Sequence, residues 1–293
     1  MGERTVAVIG ANGQLGTALA GAFGRQRGWR VLPLVHQQIE ITDGGSIARA
    51  LEPAPDVVVN TAFWPGEEPE PALRVNALGP RLLAEHCAAR GAWLVHVSTD
   101  YVFDGSASRP YRETDRTEPR SVYGISKVAG EQLVRSCLAR HLIVRVSGLY
   151  GPVPSRAKGH RHFVSTVLEK ASRGETITVP ADQVFSPTYA PDAAATIVRL
   201  LEVEASGTFH VTNTGACSWY EFAQAILELA GRPADLRPIH LADLPPVPPR
   251  PRYSVLAHDA LHAAGIPSPR PWREALREYI DLSLGAASGG AGR

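Results

Sequence analysis

The segment Thr5-Val-Ala-Val-Ile9 runs straight into Gly10-Ala-Asn-Gly-Gln-Leu-Gly16, and few folds accommodate that order. A short apolar run without polar alternation belongs in a strand covered on both faces, hence in a parallel sheet. The glycines end the run in a tight turn, and Gln14 to Phe23 then carries helical spacing. A strand, a glycine turn and a helix make the first half of a βαβ unit. The alternation recurs. Arg30–Val35 and Asp56–Asn60 read as strands, Pro69–Ala89 as a helix, Ala92–Val97 as a strand, Val122–Ala139 as a helix and Leu142–Val146 as a strand. The chain is therefore expected to form an α/β fold, a Rossmann-like doubly wound parallel sheet with helices on both faces.

Beyond Gly148 the texture changes. A loop rich in proline, glycine and basic residues (Gly151–His160) precedes helices near His162–Arg173, Pro191–Val203 and Ser218–Ala230. Leu244–Pro251 is too dense in proline for a helix or a central strand, and a last helix is expected from Pro271 to about Leu282. Residues 1–148, joined by interleaved later segments, are expected to form a dinucleotide-binding domain. Residues 149–283 would form mainly a smaller C-terminal substrate-binding lobe, and 284–293 a flexible tail.

At 293 residues the chain is long enough for a large core, and its 44% hydrophobic and 20% charged content is ordinary for a globular protein. A net charge of +1 argues against nucleic acid or an anionic membrane as partner. Cys87, Cys137 and Cys217 are odd in number and far apart, so neither a disulfide framework nor a metal site is expected. The first strand begins almost at Met1, leaving no room for a signal peptide, and no apolar run approaches the ~20 residues of a membrane helix. A cytoplasmic protein is expected.

Glycines at the first strand-to-helix junction let the backbone approach a pyrophosphate, while the helix start offers N–H donors and a positive dipole end. Gly10, Asn12, Gly13, Gln14 and Leu15 are thus candidate dinucleotide contacts, in a GxxGxxG spacing. At the end of the second strand stands His36, with Glu40 and Ile41 further on, also candidates for the cofactor. An acid at the strand end would favour the free ribose hydroxyl of NAD; its absence favours NADPH, with NADH left open. His36 reads equally well as a surface histidine. Thr61, Ala62 and Phe63 follow the third strand and would line the cofactor cleft. Asn76, polar on an otherwise apolar helix, is either a buried backbone bridge or a cofactor contact, or both.

Tyr123 and Lys127 are four apart, and the lysine is one of three against twenty-seven arginines. On a helix they share a face, so the ammonium is expected to lower the phenol pKa and let it exchange protons near neutrality. Ser98-Thr99-Asp100-Tyr101 ends the fourth strand, beyond whose carboxyl end ligands of a doubly wound sheet sit. Thr99 can donate to a substrate oxygen, and Asp100 and Tyr101 are candidate substrate contacts; Asp100 could equally cap the loop. Arg250 is a candidate for a diphosphate, against the plainer reading of a solvated arginine in a proline-rich loop. Arg156, Lys158 and Arg161 are weaker candidates for the same role.

These stretches resemble the dTDP-4-dehydrorhamnose reductase family of the extended short-chain dehydrogenase/reductase superfamily. The resemblance is carried by Gly10–Gly16, Ser98-Thr-Asp-Tyr-Val-Phe-Asp-Gly105, Tyr123-Gly-Ile-Ser-Lys127, Arg145-Val-Ser-Gly-Leu-Tyr-Gly151, Asp182-Gln183 with Ser186-Pro-Thr188, Ser218-Trp-Tyr-Glu-Phe222, and Arg250-Pro251 with Tyr253-Ser254. It runs in order from about residue 5 to 280. It implies an NADPH-dependent oxidoreductase acting on a nucleotide sugar, in dTDP-rhamnose and cell-wall polysaccharide biosynthesis, with a homodimer as one option for its assembly. Thr99, Tyr123 and Lys127 would be catalytic, Tyr123 donating the proton and Lys127 also holding the nicotinamide ribose. Related dehydratases carry a glutamate where Tyr101 stands, so dehydration is disfavoured. Two departures bear on the sugar: the Phe63–Gly66 segment is short, and Gly148 replaces a tryptophan that many members place against the sugar. The regulatory subunit of methionine adenosyltransferase also resembles these reductases, and an epimerase or another nucleotide-sugar ketoreductase stays open.

Overall fold

A computed structural model describes residues 3–154, 162–244 and 248–289. Its frame is a parallel sheet built from β1 (Arg4–Ile9), β2 (Trp29–Leu34), β3 (Val57–Asn60), β4 (Trp93–Thr99), β5 (His141–Val146) and β10 (Gly207–His210), in the order β2-β1-β3-β4-β5-β10. The order reverses beside β1, which opens a crevice at the carboxyl ends of β1 and β3.

The side-chain period of two divides the strand residues between the faces. Val6 and Val8 of β1 pack with Leu15 and Leu19 of α1 (Gln14–Gly24) and with Ile197 and Leu201 of α7 (Ala190–Glu202). Ala7 and Ile9 face the other way. They pack with Ile47 of α2 (Gly44–Ala50), Leu83 and Cys87 of α4 (Gly79–Arg90) and Val134 of α5 (Val122–Cys137). Burial on both faces explains why β1 reads as an unbroken apolar run.

A third cluster lies apart from the sheet. Tyr150 of the short β6 (Leu149–Tyr150), Val164 of α6 (Phe163–Ser172), Phe185 of β8 (Val184–Phe185), Tyr189 of β9 (Thr188–Tyr189), Phe222 of α8 (Trp219–Leu229) and Tyr279 of α10 (Trp272–Gly289) form it. The β7 strand (Ile177–Pro180) pairs in parallel with β12 (Leu236–Ile239), and β11 (Cys217–Ser218) pairs with β8. A short helix, α9 (Asp259–Ala263), returns to the sheet and adds Leu261 to the α1 side of its core.

The structure departs from the sequence reading in several elements, among them β7, β12 and α9. α2 was not foreseen; Gly44 and Gly45 conceal it, and the Asp43 carboxylate caps it by accepting from the Gly45 N–H at 2.8 Å. The four-residue β10 was likewise not foreseen. The expected single helix over Pro69–Ala89 is α3 (Pro69–Leu73) and α4 joined by a π-helical turn, Arg74–Leu78, that carries Asn76. The last helix continues past Leu282 to Gly289. Residues 290–293 of the expected tail lie outside the described residues, as do Arg156, Lys158 and Arg161. Among the described residues no helix is long and apolar enough to cross a membrane.

Candidate active site

A cavity of about 880 Å³ opens at the crevice beside β1. Gly10, Asn12, Gly13, Gln14 and Leu15 line one end, followed by Thr61, Ala62 and Phe63 after β3. Thr99, Asp100, Tyr101, Tyr123 and Lys127 line it as well, and so do Gly148 and Arg250, whose charge acts on Tyr101. Residues scattered over the whole sequence thus share one space. His36, Glu40, Ile41 and Asn76 do not line it. His36 is exposed, with Nδ1 3.9 Å from Glu40 Oε2. Glu40 accepts from the Thr42 N–H and hydroxyl, and Ile41 is buried in the core. Asn76 is a bridge: its Oδ1 accepts from Trp64 N at 2.7 Å, and its Nδ2 donates to Trp64 O and to Ser126 Oγ. That bridge ties the short Phe63–Gly66 segment to α5 between Tyr123 and Lys127.

The β1 end of the cavity fits a dinucleotide. Gly10 turns the chain at φ +78°, a conformation glycine adopts without strain. α1 starts at Gly13 with no side-chain cap, leaving its first N–H groups free for an anion. Gln14 Nε2 is buried without a hydrogen-bond partner, a donor facing the same space.

Thr99, at the last position of β4, accepts from Tyr101 N at 3.2 Å and donates to Asp100 Oδ1 at 3.1 Å. Asp100 also accepts from Ser147 Oγ at 2.7 Å. It is therefore held from within the protein; burial raises its pKa, against the hydrogen bonds of Ser254, Ser147 and Thr99. The Tyr123 ring is bracketed edge-on by Phe63, at 6.2 Å between centroids, and by Tyr101, at 6.0 Å.

One expectation is overturned. Burial raises the Tyr123 pKa instead of its being lowered by a lysine; the facing Thr99 hydroxyl opposes this only in part, and Asp100 adds to the rise. The Lys127 ammonium is directed elsewhere. Nζ donates to Val97 O at 2.6 Å and lies 3.4 Å from His96 Nε2. Burial lowers its own pKa to about 8, against the attraction of Glu131 one turn further along α5.

Beneath these groups lies a polar layer that the sequence reading missed. Asn60 of β3 and His96 of β4 are register partners, and their side chains meet at 3.4 Å between Nδ2 and Nδ1. Ser98, Arg145 and His210 are register partners across β4, β5 and β10. Onto this row α5 lowers the fully buried Glu131, which accepts from Ser98 Oγ at 2.6 Å and from Arg145 Nε and Nη2 at 2.9 and 2.7 Å. Burial pushes the Glu131 carboxyl up, but the bonds and charge of Arg145 outweigh it and hold the carboxyl below its usual range. Burial and the Lys127 charge keep His96 well below the ordinary histidine pKa, hence neutral. The legible signals were the Lys127–Glu131 spacing and the polar alternation His96–Ser98. Among the described residues no cluster of three or more His, Cys, Asp or Glu could hold a metal ion.

Known proteins show the same pattern over the whole chain. The family described as RmlD substrate binding domain matches residues 4–284. The spore coat polysaccharide biosynthesis protein SpsK of Bacillus subtilis is 40% identical over 281 residues, 94% of this chain and 96% of its own length. A dTDP-4-dehydrorhamnose reductase of Streptomyces griseus is 40% identical over 293 residues, covering 96% of this chain and 94% of its own. The crystal structure of the dTDP-4-dehydrorhamnose reductase of Bacillus anthracis in complex with NADP superposes with a TM-score of 0.88 at 33% identity, over 96% of this chain and 99% of that one. With its glycine turn, its Thr99, Tyr123 and Lys127 at one cavity and its likeness along the entire sequence, the chain belongs to the dTDP-4-dehydrorhamnose reductase family of the short-chain dehydrogenase/reductase superfamily.

Proposed function

We propose that this chain is an NADPH-dependent reductase of a nucleotide-linked 4-keto-6-deoxyhexose, converting dTDP-4-dehydro-L-rhamnose to dTDP-L-rhamnose. The observation that carries the reading is the meeting of Thr99, Tyr123 and Lys127 in the cavity that also holds the uncapped start of α1. The reading treats residues 1–148 and the later segments that join the sheet as the cofactor domain, and 149–283 as mainly the substrate lobe. It describes a cytoplasmic enzyme with a small-molecule substrate and with a homodimer as its candidate assembly; a net charge of +1 supports the absence of nucleic acid and membrane partners.

The bound cofactor supplies a hydride to C4 of the sugar. The α1 start and Gln14 would hold its pyrophosphate, and Lys127 its nicotinamide ribose. Tyr123 donates its phenolic proton to the oxygen that becomes the C4 alkoxide. The phenol is protonated at neutral pH, and burial, which raises its pKa, means that proton transfer depends on stabilising the phenolate that forms. Thr99, whose hydroxyl proton goes to Asp100 here, would turn it to the same oxygen when the sugar is bound. Lys127, held on Val97 O and not touching the phenol, would favour the phenolate only through its charge, one turn along the same helix. Phe63 and Tyr101 keep water from the Tyr123 ring. Arg250, which lines the same cavity, would bind the diphosphate bidentately.

The test is incubation of the purified protein with dTDP-4-dehydro-L-rhamnose and either NADPH or NADH, with the product identified by NMR. The reading expects dTDP-L-rhamnose with stoichiometric oxidation of NADPH. An epimerised keto-sugar with no net oxidation would replace it with an epimerase.

A further inference from the structure

Gln183 lines the cavity, is 2% exposed, and has an Oε1 atom with no hydrogen-bond partner. A buried acceptor left unpaired costs about 1–3 kcal/mol, so such a group in a binding cavity is a place kept for a ligand donor. The amide nitrogen is already engaged: Nε2 donates to Pro251 O at 3.3 Å. Turning the amide over would set two carbonyl oxygens against each other, so Oε1 is the atom that stays free. The backbone around it is fixed from two sides. Trp219 N donates to Gln183 O at 3.2 Å, and Val184 N donates to Arg252 O at 2.7 Å.

Position decides which part of a nucleotide sugar supplies the donor. The Gln183 amide reaches the Tyr101 phenol, and Tyr101 packs edge-on against Tyr123. Gln183 therefore stands between Tyr101 and the Arg250–Pro251 segment assigned to the diphosphate, where the hexose joined to that diphosphate lies. The donors a 4-keto-6-deoxyhexose carries there are its ring hydroxyls at C2 and C3.

We infer that Gln183 is a specificity-determining residue for the sugar, its Oε1 accepting a hydrogen bond from the C2 or C3 hydroxyl. This inference rests on the reductase reading above. A site built around a buried acceptor rejects the analogue that lacks the hydroxyl, because the acceptor then stays unpaired. The enzyme selects fully hydroxylated 6-deoxyhexoses over dideoxy ones.

The experiment measures kcat/KM, by NADPH oxidation, of the wild-type protein and of Gln183→Met on dTDP-4-dehydro-L-rhamnose and on its 2-deoxy and 3-deoxy congeners. The wild type should lose about 10- to 100-fold on one congener. Gln183→Met should lose a similar factor on the parent sugar and no longer distinguish the parent from that congener. Equal wild-type values on all three sugars overturn the inference, whether or not the variant folds. So does a Gln183→Met deficit of the same factor on every sugar. If the wild type oxidises NADPH with none of the three, the reductase reading itself fails and takes this inference with it.

Discussion

Nζ of Lys127 donates to the backbone carbonyl of Val97 at 2.6 Å, two residues before Thr99 on the same strand. That bond, with His96 3.4 Å away, fixes the lysine against β4 and not against the phenol one turn back along α5. Burial then moves the two groups in opposite directions, the phenol up and the ammonium down. On the proposed mechanism the phenol is the proton donor, and Lys127 is the group that titrates nearer to neutral pH.

The Lys127 pKa of about 8 gives a signed prediction for activity. Below it the lysine is cationic; above it the charge that the proposed mechanism draws on is gone. kcat/KM should fall as pH rises through about 8, in a profile reporting the free enzyme. A profile flat to about pH 10 contradicts the assignment. Stability should respond with the opposite sign. Between about 8 and the ordinary value of 10.5 the unfolded chain binds more protons, so this lysine's contribution rises with pH across that window and is lost as pH falls to about 8.

Glu131 and Arg145 form a fully buried bidentate pair, 2.9 and 2.7 Å, so deleting one partner leaves an uncompensated charge. Glu131→Ala should destabilise the protein by about 3–5 kcal/mol in urea denaturation. Glu131→Gln should also move the alkaline limb of kcat/KM to lower pH, because Glu131 is the charge that opposes the depression of Lys127. An unmoved limb would show that the two do not communicate.

Gly148 has φ +50°, and a Cβ built there would collide with the Phe185 ring, which stacks on Trp219 at 4.0 Å. The Phe185 ring of β8 fills the space beside Gly148. Gly148→Ala should cost about 2–4 kcal/mol, combining left-handed strain with overpacking. Thermal denaturation checks it: Phe185→Leu should restore part of the loss in the double variant, and simple additivity of the two changes would argue against the clash.

Much of this was legible because it is local. Gly10–Gly16 and the Tyr123–Lys127 spacing each lie within one turn or one helix, where side-chain directions follow from the helix period. β10 was not legible, because it rejoins the sheet beside β5 only after a long excursion through the second cluster. The polar layer was hidden for a related reason: Asn60 meets His96, and Ser98 meets Arg145, through register between separate strands. The direction of the Tyr123 shift escaped because spacing reports which residues share a face, not where an ammonium finds its hydrogen bond. Burial, which sequence shows least directly, decided the sign.

The role of Tyr123 as proton donor is tested most directly by Tyr123→Phe, which removes one oxygen atom from the cavity. The measurement is the loss of NADPH absorbance on adding dTDP-4-dehydro-L-rhamnose to the wild type and the variant, with NADPH affinity followed by fluorescence. Turnover should fall by about 10²–10⁴ while cofactor affinity stays within a small factor of wild type. Near-normal turnover by the variant would contradict the account and remove Tyr123 from the chemistry.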